Sequence, residues 1–349
     1  MMTLRAAALS IRSPLAWLGP GRRVEQVTVV IDGDTIVYAG ESRGAPPSEV
    51  TVLLDGVLLP AAADRHVHMG LSDPGAVLLG GVTAVRDLAW PSSDIFPLAD
   101  ASEAPNFNGP LVRAAGPMLT APAGYPTRAS WAPPGTGLEV RGPAEAARAV
   151  ERLADLGAAH IKVSLNAEAG PTPADDELIA IVGAAHEREL PVTAHVQGKG
   201  QSERALGAGI DELAHCPWTE KVPDRVIEAM AKSMRMVSTL DIHSYGDDTP
   251  PVRVAIDNLF RFARAGGRVL YGTDLGNGPV PPGIDVREVM LLYQAGLSPE
   301  AVLTAMMRAP IEAGAPADII GVARDPLEDL EALGELRLVM RAGRVVLQR

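Results

Sequence analysis

Gly56-Val57-Leu58-Leu59-Pro60-Ala61-Ala62-Ala63-Asp64-Arg65-His66-Val67-His68 is an apolar run that turns polar just before two histidines. On a strand, alternate side chains share a face, so His66 and His68 point one way and Val67 the other. Paired imidazoles at a strand end, followed by Gly70 and a loop, are ready ligands for zinc or a similar ion. The same triplet also fits two hydrogen-bonded core histidines, and the rest of the chain has to decide.

Downstream, short β-branched runs alternate with alanine-rich helical patterns, the rhythm of βα units on a parallel sheet. The runs are Val82–Asp87, Leu111–Ala115, Ala159–Ser164, Pro191–His195, Ile210–His215, Met236–Leu240 and Arg268–Asp274. Helices are expected at 143–156, 174–189, 220–232, 251–265 and 284–296, the first with Pro143 in its opening turn and Gly157 past its end. With the strand that carries His66, these make eight units. They predict an α/β fold, a (β/α)8 TIM barrel with its active site at the C-terminal strand ends.

The two chain ends have a different texture. Val27–Ile31, the turn signal Asp32-Gly33 and Thr35–Ala39 read as a hairpin within 24–40, and Val50–Leu54 adds another β-rich piece. Ala317–Val322, Leu336–Met340 and Arg344–Leu347 match them at the far end. The expectation is a small β-sandwich built from both termini: 1–58 as its N-terminal part, 59–310 as the barrel, 311–349 as its C-terminal part. Residues 117–141, rich in Pro, Gly, Thr and aromatics, show no period and read as a long loop over the barrel mouth.

Titratable residues now fall into register. Lys162, His195, His215 and Asp274 close the fourth, fifth, sixth and eighth expected strands, each followed within a few residues by a break. Polar groups at those ends are where barrel catalysis is expected. His186 lies in a charged helical stretch and reads as solvated surface. His160 shares a strand face with Lys162 but lies deeper, as a packed core histidine would.

These stretches together resemble the amidohydrolase superfamily, in its imidazolonepropionase-like and prolidase-like branch. The resemblance is carried by His66-Val67-His68, Gly81–Asp87, His160-Ile161-Lys162-Val163, Ala194-His195-Val196, Glu212–His215 and Tyr271–Asp274, with Ala315–Ile320 and Asp325–Asp329 in the C-terminal part. Departures are Ala61–Arg65, in place of the usual Pro-Gly stretch, and a short link from Met306 to Pro316. The resemblance implies one or two divalent metals, usually Zn2+. His66, His68 and Asp274 would hold the first, and His195 and His215 the second. Lys162, carboxylated on its amine, would bridge them. A free ammonium beside two dications is repelled, whereas a neutral amine adds CO2 to give an anionic oxygen ligand. The alternative is an ordinary lysine in a one-metal site.

The implied chemistry is metal-assisted hydrolysis of a carbon–nitrogen bond, with Asp274 as general base. On the substrate side Tyr125 and Arg128 in the long loop, and His243 and Tyr245 after the seventh strand, are expected to overhang the site. Arg128 would clamp a carboxylate, favouring a peptide-like or carboxylate-bearing substrate. Trp90 and Trp131 line the pocket or anchor their loops, and Cys216 packs behind His215. Rival readings are a cyclic amide hydrolase or deaminase on a ring substrate, a peptide-processing enzyme of a biosynthetic pathway, and a non-catalytic barrel scaffold.

Composition limits the partners. The chain has 349 residues, 47% hydrophobic, with a net charge of −12, which argues against nucleic acid. A small-molecule or peptide substrate fits better, and homo-oligomerisation is left open. The single cysteine, Cys216, suits a reducing cytoplasm. Met1–Pro20 carries an apolar patch too short for a signal peptide, and no run is long enough to cross a bilayer, so a soluble protein without membrane contact is expected.

Overall fold

The computed structural model describes residues 7–349, so the start of Met1–Pro20 lies outside the described residues. The first strands are β1 (Ala7–Trp17), β2 (Arg23–Asp32), β3 (Thr35–Glu41), β4 (Ser48–Leu53) and β5 (Val57–Pro60). Then come β6 (Ala62–Val67), β7 (Val82–Asp87), β8 (Leu111–Ala114), β9 (Met118–Thr120) and β10 (Gly137–Glu139). They are followed by β11 (Ile161–Asn166), β12 (Val192–Gln197), β13 (Glu212–Leu213), β14 (Arg235–Val237) and β15 (Arg268–Leu270). β16 (Ile319–Val322), β17 (Leu336–Arg341) and β18 (Arg344–Gln348) end the chain.

Both ends of the chain build one 8-stranded sheet, in the order β18-β17-β16-β5-β1-β2-β3 with β4 also on β1. The expected sandwich is therefore a single hydrogen-bonded sheet, because the long β1 pairs with β2 along one side and with β4 and then β5 along the other. The sheet turns back on itself. Ile36 N donates to Ala315 O (2.9 Å) and Ala317 N to Asp34 O (2.7 Å), bringing the β3 edge round to the chain ahead of β16. Its own core holds Ile11, Val27, Val29, Ile31 and Leu338, while in β5 Leu58 joins this core and Val57 and Leu59 face the parallel strands. That division follows the two-residue period of a strand.

The middle of the chain is α/β. A 7-stranded parallel sheet runs β10-β9-β11-β12-β13-β14-β15, and a 3-stranded one runs β6-β7-β8. Backbone hydrogen bonds cross both gaps between them: Ala159 N to Ala114 O (2.9 Å) on one side, Arg65 N to Tyr271 O (3.0 Å) and Asp274 N to His66 O (2.8 Å) on the other. The five expected helices are present within a few residues, at Pro143–Asp155, Asp175–Glu187, Asp224–Ser233, Pro250–Arg264 and Val286–Gln294. Pro74–Leu79, Ser92–Ser102, Gln201–Gly207 and Pro299–Met306 are additional. Two of these carry a cap followed by proline in the first turn, with Asp73 accepting from Gly75 N and Ser298 from Ala301 N.

Residues 117–141 differ from expectation. They contain β9 and β10, paired in parallel, and Leu119 of β9 also pairs with Val163 of β11. Gly116, at φ +72°, breaks the third strand position into β8, which pairs with β7, and β9, which pairs with β11. Among the described residues no helix is long and apolar enough to cross a membrane.

Candidate metal centre and its cavity

His66, His68 and Asp274 meet where β6 ends beside the segment that follows β15. His66 Nε2 and His68 Nε2 lie 3.1 and 3.2 Å from the same oxygen, Asp274 Oδ1. The other ring nitrogens decide what that means. His66 Nδ1 is 2.9 Å from Ala214 O and His68 Nδ1 is 3.1 Å from Ala89 O. A carbonyl only accepts, so each ring carries a proton on Nδ1 and turns its Nε2 toward the carboxylate oxygen. Two ring nitrogens and an anionic oxygen this close in a buried spot are held together only by a cation among them, a proton or a metal ion. The donor set therefore fits a divalent ion, with the backbone carbonyls orienting the ligand rings.

Backbone strain gathers here. Asp274 has φ +57° and Thr239 φ +44°, conformations that non-glycine residues rarely adopt and that cluster at functional sites. Thr239 Oγ1 holds His215 Nδ1 at 2.8 Å, and Asn277 Nδ2 donates to Asp274 Oδ2 at 3.0 Å. A Cβ at Gly272 would lie 2.3 Å from Val237 Cγ1, so only glycine lets this strand end pass beside His66. Neighbouring ligands burden each other's charge. Burial keeps His66 and His215 neutral, whereas at His68 the hydrogen bond and charge of Asp274 outweigh burial and raise the pKa.

Lys162 stands on β11 with its Nζ buried and without a hydrogen-bond partner. Burial lowers its pKa to about 7, so an uncharged amine is within reach at neutral pH. Beneath it an ion-pair network fills the strand interior. Arg86 Nη2 and Nη1 reach Glu212 Oε1 and Oε2 at 2.5 and 3.2 Å, Arg235 Nε lies 3.3 Å from Oε2, and Thr193 Oγ1 donates to Oε1 at 3.1 Å. His160 is buried beside Arg86 and Lys162, as a core histidine. His186 is half exposed and paired with Asp211 at 3.0 Å.

No family model matches the chain. Ochratoxinase of Aspergillus niger is 25% identical over 403 residues, covering 92% of this chain and 82% of that protein. An uncharacterised protein of Mycobacterium tuberculosis is 26% identical over 98% of each chain. The crystal structure of A. niger ochratoxinase superposes with a TM-score of 0.82 at 21% identity, over 98% of this chain and 96% of that one. The chain shares the fold of that enzyme and of structures named as an amidohydrolase and a prolidase. A Xaa-Pro dipeptidase with methionine bound in its active site matches at a TM-score of 0.80 and 22% identity, over 97% of this chain and 99% of that one.

Within this shared fold the six expected ligands border one cavity of about 230 Å3. The His66 and His215 ring centroids are 4.5 Å apart and those of His195 and His215 4.8 Å. Tyr125 and His243 line the cavity as expected. Tyr245 is set one step back, its Oη 3.3 Å from the Asn277 Oδ1 that does line it. Arg128 is a correction: it is exposed and is not among the lining residues. The turns from Tyr125 through Ala132 leave Trp131, not Arg128, inward, its ring 4.7 Å from His68. Trp90 is buried against Gly70 and anchors its loop. Sequence reading passed over Asn166, Gln197, Trp218 and Asn277 as cavity residues. Asn166 and Gln197 carried a usable signal, since both close strands, whereas Trp218 and Asn277 sit on loops. A larger, more open groove of about 680 Å3 lies near the strand starts around Asp211 and Arg268, but no ligand set converges there.

One buried acid supports the loop that carries His243. Glu288, on helix Val286–Gln294, accepts from Asp241 N at 2.7 Å, and burial pushes its pKa up from 4.5 to about 8. The folded state thus binds more protons than the unfolded state between those values, so Glu288 makes stability fall as pH rises through this window. We expect Glu288→Gln to flatten that slope relative to wild type, as read from urea midpoints at pH 5 and pH 8.5.

Proposed function

We propose that this chain is a metal-dependent hydrolase of carbon–nitrogen bonds, built as a closed (β/α)8 barrel (59–310) with terminal parts at 1–58 and 311–349. The observation that carries the reading is the convergence of His66 Nε2 and His68 Nε2 on one buried oxygen, Asp274 Oδ1, with both Nδ1 atoms engaged by backbone carbonyls. Relatives named as amidohydrolases, a dipeptidase and an ochratoxinase support the reaction class. The bonds across both gaps between the parallel sheets support closure of the barrel.

His66, His68 and Asp274 would hold one Zn2+, and His195, His215 and a carboxylated Lys162 a second. Such an ion supplies Lewis-acid activation of a water and of the substrate carbonyl. Asp274 accepts the water's proton on Oδ2, which Asn277 orients, and delivers it to the leaving nitrogen. Tyr125 Oη already accepts the Trp131 Nε1 proton at 3.2 Å, which leaves its own proton free for a substrate oxygen. The net charge of −12 supports a small-molecule or peptide partner over nucleic acid, and the single buried cysteine supports a cytoplasmic setting.

Metal analysis of the purified protein tests the reading. We expect one to two equivalents of zinc or a similar ion, with chelation abolishing hydrolysis of an amide panel and zinc restoring it. A folded, metal-free protein that refuses zinc would sink the proposal. The Lys162 bridge has its own test: Lys162→Ala should bind about one ion fewer than wild type, and added short carboxylates should restore part of the second. Equal metal content in the variant would leave Lys162 an ordinary lysine.

A further inference from the structure

The side chain that orients the Asp274 carboxylate is itself held from outside the cavity. Asn277 Nδ2 donates to Asp274 Oδ2 at 3.0 Å. A carboxylate only accepts, so the amide nitrogen must face it and Asn277 Oδ1 must point the other way. Tyr245 Oη lies 3.3 Å from that Oδ1 and is the donor, because an amide oxygen only accepts. The hydrogens therefore run in one direction, from phenol to amide to carboxylate, and each bond polarises the next. Among the described residues the Asn277 side chain has no third partner, so these two bonds set its rotation.

Both loops that meet at this hydroxyl bend unusually to do so. Tyr245 has φ +48°, a conformation that non-glycine residues rarely adopt and that clusters at functional sites. Its N donates to Asp241 O at 2.6 Å, and Asp241 N donates to Glu288 at 2.7 Å. The phenol is thus tied through a tight turn to helix Val286–Gln294. On the facing loop Gly278 has φ +59°, and a Cβ there would lie 2.6 Å from Tyr245 Oη. Only glycine lets that loop pass beneath the hydroxyl. Asn277 lines the cavity and Tyr245 does not, so the phenol reaches the site only through the amide.

We propose that Tyr245 is a positioning residue for Asp274: its hydroxyl fixes the Asn277 amide, and the amide holds Asp274 Oδ2 in the orientation that accepts a proton. This rests on the hydrolase reading above. It replaces the substrate contact that the sequence suggested for Tyr245 with a role one bond removed from the reacting atoms.

A split between kcat and KM tests it. In the zinc-loaded protein, Tyr245→Phe should lower kcat about threefold to tenfold, the worth of one ordinary hydrogen bond, and leave KM unchanged. A rise in KM at constant kcat would make Tyr245 a substrate contact and overturn the proposal. A double-mutant cycle asks whether the phenol acts through the amide. Adding Tyr245→Phe to Asn277→Ala should cost nothing further, whereas losses that multiply would overturn the coupling. A third readout needs no turnover. The chain has only five asparagines, so asparagine-selective isotope labelling gives few side-chain amide signals, and Asn277→Ala identifies the relevant one. Without substrate present, Tyr245→Phe should shift that signal and speed its hydrogen exchange, and an unchanged signal overturns the proposal. If amides are hydrolysed and Tyr245→Phe keeps wild-type kcat, the positioning role falls and the hydrolase stands. If the amide signal responds but no amide substrate is hydrolysed, the hydrolase reading falls and the held carboxylate stands.

Discussion

Asp274→Asn is expected to lower kcat by about 10²–10⁴-fold, the range associated with loss of a positioned general base. Two roles are lost at once. Asp274 Oδ1 is the shared anionic partner of His66 Nε2 and His68 Nε2, at 3.1 and 3.2 Å, and an amide oxygen there is a far weaker ligand for a cation. Oδ2, held by Asn277, is the proton acceptor in the proposed mechanism, and an amide nitrogen in its place accepts nothing. The variant should therefore lose metal affinity as well as rate. Steady-state kinetics with zinc in excess separates the two losses, because saturating metal should restore occupancy but not kcat. A variant with kcat within tenfold of wild type would remove Asp274 from proton transfer. The backbone should tolerate the change, since asparagine accepts the φ of +57° that Asp274 adopts better than most residues.

The second large effect concerns stability. Glu212→Gln keeps shape but removes the only carboxylate contacted by both Arg86 and Arg235, at a position with no solvent exposure. Breaking a buried pair by deleting one charge costs ~3–5 kcal/mol, because the remaining charge stays uncompensated. Here two guanidiniums are stranded, with Arg65 close enough to feel both Arg86 and Glu212. Because Arg235 is about a third exposed and keeps part of its hydration, we expect a loss at the lower end of that range, read from the urea unfolding midpoint. The double change Arg86→Gln with Glu212→Gln should recover part of it, which a simple packing defect would not. A single variant within 1 kcal/mol of wild type would mean that the network does not carry the strand interior.

Much of this site was legible in the chain because its candidate residues sit on parallel strands or just past their ends. His66 and His68 share a face through the two-residue period, but Lys162 and His195 lie within β11 and β12 rather than closing them as the sequence suggested, and His215 and Asp274 follow the ends of β13 and β15. What escaped depends on contacts between segments far apart in sequence. Arg128 and Trp131 lie three residues apart in one loop, and only the folded turns reveal which of them faces His68. The split of the third strand hangs on the left-handed Gly116, a conformation the residue permits but does not demand. Thr239, the support of His215 Nδ1, has a β-branched side chain in a conformation no propensity would assign to it.

The terminal sheet has a consequence for biosynthesis. β5, which leads straight into the strand bearing His66 and His68, has β1 on one side and β16 on the other, with Leu59 opposite Ile320. A nascent chain on the ribosome completes β1 through β5 early, but that edge has no partner until Ile319–Val322 emerges. Contacts so distant in sequence close slowly, and an open apolar strand edge invites pairing with a neighbouring chain. Chaperone dependence and inclusion-body formation should therefore depend on how quickly the last strands follow the first. Slowing translation just before residue 319 should lengthen the exposure, and with it the aggregated fraction.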